Sequence, residues 1–337
     1  MKRIAVLALL VLVFVITTGC ATVLEKYNSA VDPNSTETIL VTVPSGATTT
    51  SIANLLIDNG LIQNANAFKA KSKQLDVDGQ MKAGDYNLSK ALTTEEIITM
   101  LVDGDVYIET TTFTIPEGYE VRQIVDTLES EGLINRAKFL DALQNAPFNY
   151  SFLEGIDRSY LLEGYLFPDT YTVKAGADEV TIIKMMLDRF DTIFNDDYYA
   201  RAEELGMTVD EVITLASIIE REARVDEEFP IVSSVFHNRI DIDMMLQSCA
   251  TVQFILKERK DVLLFSDIAI ESPYNTYLVP GLTPSPIASP GELAIKSALY
   301  PAETNYLYFV TTEKNDGSHY FNETLEGHNR DIKRGNK

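Results

Sequence analysis

The chain has 337 residues, 45% of them hydrophobic, enough to bury one or two cores of ordinary size and too many for a disordered scaffold. Its 28 basic side chains stand against 50 acidic ones, and the formal charge of -22 opposes binding to a polyanion, so no nucleic-acid partner is expected. Cys20, Cys249, His237, His319 and His328 are scattered without HExxH or paired-cysteine spacing, which argues against a disulfide framework and a metal site; no cofactor is expected.

Met1, Lys2 and Arg3 precede an apolar run over 4–23 that is long enough to span a bilayer with its basic end in the cytoplasm. A cleaved signal peptide is one alternative, and a lipoprotein signal with lipidation at Cys20 is another, because Gly19-Cys20 resembles the end of a lipobox. Each reading exports the rest of the chain, and retention by one N-terminal anchor in the cell membrane is favoured. Residues 25–37 are polar and aperiodic, as in a tether.

A repeat follows. TVPSGATTTSIANLLIDNGLI, from Thr42, returns 72 residues later as TIPEGYEVRQIVDTLESEGLI, from Thr114. Each copy reads as a short strand (39–43 and 111–115), a Pro-x-Gly turn and an amphipathic helix closed by Gly60 or Gly132. The first copy continues to a Gly-Asp-Tyr strand and a helix capped by Thr93-Thr94-Glu95-Glu96. This order resembles a LysM-type glycan-binding module; a plain packing domain is the alternative.

The segment EGYLFPDTY mixes acidic and aromatic groups around a proline, and Glu163, Tyr165, Phe167, Asp169 and Tyr171 are candidates for a saccharide-binding wall. An aromatic core corner is the competing reading. TVDEVITLASIIEREAR then predicts a helix with a Thr208/Glu211 capping box. Glu220 borders its apolar stripe on the side of Ile213 and Ser217, whereas Arg221 and Glu222 are expected to face solvent. A carboxyl held against apolar neighbours keeps its proton to higher pH and can act as a general acid; pairing with Arg224 at i+4 is the structural alternative. Ala216 and Ser217 are small enough to leave room for a substrate. Downstream, Asn238, Arg239, Gln247, Ser248, Tyr274, Asn275, Thr276 and Tyr277 are polar and aromatic groups suited to a neutral sugar. Pro280, Pro284, Pro286 and Pro290 stiffen the last stretch, and Ser289-Pro290-Gly291-Glu292 predicts a helix start with a serine cap. A strand at YLYFVTT, an Asn-Asp-Gly turn and HYFNETLEGHNRDI close the chain.

The strings EGYLFPDTY, LASIIEREA, VFHNR, LQS, SPYNTYLVPGLTPSPIASPG, YLYFV and GHNR resemble, in order, the YceG-like family of endolytic murein transglycosylases, and the likeness runs from about Thr38 to the end and includes the anchor. The resemblance implies Glu220 as catalytic acid/base, an α+β fold and nascent peptidoglycan glycan strands as substrate. Partners would be the cell membrane and peptidoglycan synthases. The expected organisation is an anchor at 1–24, a linker at 25–37, a LysM-like module at 38–107 and a catalytic domain at 108–337, in which 108–145 repeats the strand-turn-helix unit. Hydrolysis with Glu163 or Asp169 as second carboxylate, and a non-catalytic glycan-binding scaffold, are the alternative functions. Where the family reads Gln-Ser-Asp-Pro-Thr-Val, this chain has Cys249-Ala250 in place of Asp-Pro, and His237 replaces a common tyrosine.

Overall fold

The structure, a computed structural model, describes residues 26–260, 262–314 and 316–335. The proposed anchor and Cys20 lie outside the described residues. Among the described residues no helix is long and apolar enough to cross a membrane. The fold is mixed α+β and divides into two compact units, Met1–Glu109 and Thr110–Lys337.

In the first unit β1 (Thr38–Val43) leads through α1 (Thr49–Asp58) and α2 (Ala65–Gln74) to β2 (Gly84–Ser89) and α3 (Thr94–Asp103). β1 and β2 pair antiparallel, Val41 opposite Tyr86 and Val43 opposite Gly84. Alternation along the strands buries Val41, Val43, Tyr86 and Leu88, which pack on Leu56, Phe68, Ile97 and Leu101 from the helices. Gly60, at φ +65°, ends α1: its N–H reaches the Ile57 carbonyl while the Leu61 N–H reaches Leu56. These two bonds satisfy carbonyls that the helix end leaves open. The Thr93/Glu96 capping box starts α3.

The second unit opens with the same element order: β3 (Thr110–Thr114), α4 (Val121–Ser130), α5 (Arg136–Asn145), β4 (Thr170–Lys174) and α6 (Glu179–Ile193). β3 and β4 are again antiparallel, with Phe113 opposite Tyr171. Gly132, at φ +72°, ends α4 with the same pair of bonds, from Gly132 N–H to Glu129 and from Leu133 N–H to Leu128. The likeness reaches the side chains: the Tyr86 hydroxyl donates to the Lys82 carbonyl and the Tyr171 hydroxyl to the Phe167 carbonyl, each four residues upstream. The duplication therefore extends beyond the strand-turn-helix legible in the sequence to a full β-α-α-β-α unit. Extra residues in the second copy, including the 3-10 turns Ser151–Leu153 and Arg158–Tyr160 and the EGYLFPDTY segment, precede β4 and hide the correspondence from a fixed-offset comparison.

The rest of this unit is α7 (Asp196–Leu205), α8 (Val209–Glu222), α9 (Phe229–Asp241), α10 (Cys249–Leu256), the single turn α11 (Phe265–Ile268), α12 (Glu292–Leu299), the hairpin β5 (Tyr308–Thr311) and β6 (His319–Asn322), and α13 (Leu325–Gly335). Residues Val212 to Ile219 of α8 are all buried, because α7, α9, α10 and α12 pack around it. A helix apolar on every side becomes the centre of its domain.

Candidate active site

The Thr208/Glu211 capping box forms at the start of α8, and the helix ends two residues after Glu220. Ile213, Ser217 and Glu220 share one face, and the proline-rich loop is fastened along it. Gly164, at φ +89°, lets Pro286 approach Ile213; a Cβ there would lie 2.4 Å from Pro286 Cβ and 3.1 Å from Ile213 Cγ2. One turn on, the Ile287 N–H donates to Ser217 Oγ at 3.0 Å, and that hydroxyl donates to the Thr214 carbonyl at 2.7 Å. A further turn on, the Gly291 N–H donates to Glu220 Oε2 at 3.0 Å. Ser217 and Ala216 are fully buried, so their small size accommodates the loop rather than a substrate.

Gly291 is the N-cap of α12, whose side-chain cap is missing. The expected serine cap does not form: Ser289 is buried, its hydroxyl has no partner among the described residues, and the helix starts at Glu292. The Glu220 carboxylate thus occupies the positive end of α12. Burial nevertheless dominates and pushes the Glu220 pKa up to about 7, with the nearby Glu117 carboxylate adding to the rise and the Gly291 N–H and Arg221 opposing it. Arg224 is not its partner.

Glu117 escapes the sequence reading. It sits in the second copy's Pro-x-Gly turn, where the first copy has Ser45, and this divergence inside a repeated turn was the available signal. The turn is clasped to the loop by Gly118 N–H to Ser289 O at 2.8 Å and Ser289 N–H to Tyr119 O at 2.7 Å. A Cβ on Gly291 would lie 1.9 Å from Glu117 Oε1, and one on Gly118 would lie 3.6 Å from Glu220 Cγ. Two carboxyl groups therefore converge at Gly291. Burial, then Asp226, raises the Glu117 pKa.

The other expected site residues separate into groups. Tyr165, Phe167 and Tyr171 are core side chains, so the aromatic wall reading is corrected to the core corner: Tyr165 bonds Asp210 at 2.7 Å and stacks near Phe152 and Phe190, while Tyr171 packs on Phe113. Glu163 is buried with both oxygens on the Val121 N–H at the start of α4, and burial raises its pKa to about 8. Asp169 pairs with Arg189 at 2.7 Å. Among the described residues neither bonds Glu220 or its loop; the carboxyl beside Glu220 is that of Glu117.

Asn238, Arg239 and Asn275 are backbone staples rather than sugar ligands. Asn238 donates to the Thr304 and Tyr306 carbonyls, Arg239 to Leu246 and Leu307, and Asn275 to Ile268 and Ile270. Each polar side chain offsets carbonyls that an irregular segment leaves without a ladder. Thr276 Oγ1 accepts the Ser248 N–H, and Ser248 Oγ donates to Glu222. Tyr274 bonds Ser285 at 2.6 Å. Gln247 and Tyr277 do face open space: with Glu222, Tyr308 and His319 they line a cavity of about 380 Å³.

Arg221 and Glu222, expected in solvent, are drawn inward. The Arg221 side chain is 5% exposed and lies 3.5 Å from the buried Glu120 carboxylate. Glu222 accepts the Ala250 N–H at 3.2 Å in the first turn of α10, a bond that the family's proline at this position could not donate. Cys249 Sγ lies 3.1 Å from the Tyr277 hydroxyl.

The match to the model of the YceG-like family covers residues 41–334. The chain is 33% identical over 318 residues to an endolytic murein transglycosylase of Bacillus subtilis, spanning 89% of this chain and 85% of that protein. It is 32% identical over 328 residues to an endolytic murein transglycosylase of Streptococcus pneumoniae, spanning 90% of this chain but 59% of that longer protein. A 2.6 Å crystal structure of a YceG-like protein from Listeria monocytogenes superposes with a TM-score of 0.58 at 34% identity, covering 88% of this chain and 99% of the other. With the family model, the relatives and the fold in agreement, this chain belongs to the YceG-like family.

Proposed function

We propose that this chain is an endolytic murein transglycosylase that cuts nascent glycan strands within their length, with Glu220 as acid and base. The observation that carries the reading is the Glu220 carboxyl, held by one backbone N–H and kept protonated up to about pH 7 by burial. Glu220 donates its proton to the oxygen joining N-acetylmuramic acid C1 to N-acetylglucosamine, and the C1–O bond breaks. The resulting carboxylate takes the proton from the muramic C6 hydroxyl, whose oxygen bonds to C1 and leaves a 1,6-anhydro end. No water is consumed, so one carboxyl serves both steps.

Around it, Ser217 seats the loop that aims Glu220, and Gln247 and Tyr277 contact the glycan from the neighbouring cavity. Arg239 shapes that cavity through the Leu246 and Leu307 carbonyls and Ser248 through Glu222, while Thr276, Asn238, Asn275 and Tyr274 brace the segments around it.

The rest of the chain fits delivery of this site to the wall. Residues 1–24 anchor it in the cell membrane with the remainder outside, and residues 25–37 act as a tether. The strand-helix-helix-strand order of 38–107 supports a LysM-like glycan-binding role for that module, and 108–337 form the catalytic domain. Work beside glycan-polymerising synthases, setting strand length, follows from the same reading.

Mass spectrometry of peptidoglycan digested by residues 25–337 tests the reaction. Anhydro ends are expected, and Glu220→Gln should lower their rate of formation by about a thousandfold, the scale of general acid–base catalysis. Reducing ends instead would mean that water takes the place of the C6 hydroxyl. Undiminished anhydro product from Glu220→Gln would remove Glu220 from the mechanism.

A further inference from the structure

A second cavity, lined by Arg221 and Glu222 next to Glu220 in the chain, carries charge that bond cleavage does not use. Arg221, Arg224, Arg259 and Lys260 line a space of about 430 Å³, in a chain of formal charge -22. Arg221 Nη1 and Arg259 Nη2 both donate to the Gly118 carbonyl at 3.4 Å, so two guanidinium groups meet at one acceptor. Burial, followed by the charge of Arg259, lowers the Arg221 pKa.

The acidic groups nearby offset only part of this charge. Glu120 is shared between Arg122 and Arg221, and Lys260 pairs with Asp267. Glu222 lines the same cavity, accepts from Ser248 and Ala250 and attracts Arg221 by charge, while His319, also in the lining, pairs with Glu228. Among the described residues neither Arg224 nor Arg259 forms an ion pair, and both side chains are exposed. Cations gathered in a partly desolvated cavity repel one another, and an anion that accepts from them relieves the repulsion with charge-assisted bonds.

Position names the anion. Gly118 separates the two sites by the width of one residue: a Cβ on it would lie 3.4 Å from Arg221 Cδ and 3.6 Å from Glu220 Cγ. A sugar held at Glu220 brings its own substituents to this cavity. We propose that the cavity is a subsite for carboxylates of the peptide carried on the lactyl group of N-acetylmuramic acid, bound by Arg259 and Arg224, so that the enzyme selects peptide-bearing strands over stripped ones. This rests on the function proposed above.

The test uses the full chain carrying Glu220→Gln, which binds without cutting, and compares its Kd for peptide-bearing glycan with that for the same glycan stripped of peptide. The subsite gives about a tenfold preference for the peptide-bearing strand, the scale of one or two charge-assisted bonds, and adding Arg259→Gln reduces it to about twofold. The preference also shrinks as salt rises. Among the described residues Arg259 is exposed, forms no ion pair and makes one long bond, to the Gly118 carbonyl, so the substitution should leave the melting temperature nearly unchanged. Equal binding of the two glycans by the Glu220→Gln chain, or a preference that survives Arg259→Gln, overturns the proposal. So does inorganic pyrophosphate that displaces both glycans equally in an Arg259-dependent way, which would assign the cavity to phosphate. The functional reading fails separately, if the wild-type chain cuts neither glycan.

Discussion

At the scale of single residues, the proposed mechanism turns on how Glu220 keeps its proton near neutral pH. The helix and the place of Glu220 beside its apolar stripe were legible from the cap and the period, while its role as acid and base came from the YceG-like resemblance. Its partner Glu117 lies 103 positions away in a turn, and no periodicity within either segment relates the two. Their proximity gives a prediction with a definite sign. Glu117 raises the Glu220 pKa by like charge, so Glu117→Gln lets Glu220 lose its proton at lower pH. The alkaline limb of the kcat/KM profile should move to lower pH, with the acid-side rate reduced less than tenfold, a smaller loss than removal of a general acid causes. An unmoved limb in a pH–rate series would show that the two carboxyls do not interact.

At the scale of elements, the proline-rich loop is held to α8 by bonds at Ser217 and Glu220 on successive turns, with Gly164 packed close to both Pro286 and Ile213 one turn earlier. The hydroxyl of Ser217 is the middle fastening. Replacing it by alanine leaves the Ile287 N–H buried without its acceptor, which costs about 1–3 kcal/mol. The melting temperature of Ser217→Ala should fall accordingly, and kcat should fall with it because Gly291 no longer positions Glu220. Loss of stability with kcat unchanged would separate the loop from the chemistry. Gly164→Ala should do more damage, since it combines φ +89° with a 2.4 Å approach to Pro286. The sequence exposed the stiffness of this loop through its prolines, but it suggested an open saccharide surface. The structure shows instead that Asn238, Arg239 and Asn275 hold backbone, because an irregular segment packed against a buried helix needs its carbonyls satisfied.

Across the whole molecule, two buried carboxyls couple folding to pH. Glu163 and Glu220 have pKa values raised to about 8 and about 7. The folded chain therefore binds more protons than the unfolded chain between roughly pH 4.5 and 8. The stability from these two groups is complete below the unfolded carboxyl pKa and is lost as pH rises through the folded values. From pH 5 to pH 8, the wild-type melting temperature should fall further than that of a Glu163→Gln/Glu220→Gln variant. Equal falls in calorimetry would contradict the raised values.

The sequence by itself determined the capped helix carrying Glu220, the repeated strand-turn-helix with its glycine stops, the strands β1, β2, β3 and β5, and the YceG-like resemblance. These depend on caps, turn residues and periods that act within a few residues. Only the tertiary structure decided that the duplication is a complete β-α-α-β-α unit, that the aromatics of EGYLFPDTY turn inward, and that Arg221 is buried beside Glu120. It alone brought Glu117 to Gly291 and two arginines to the Gly118 carbonyl. Burial and charge proximity are set by which distant segments pack together, and that information has no local period.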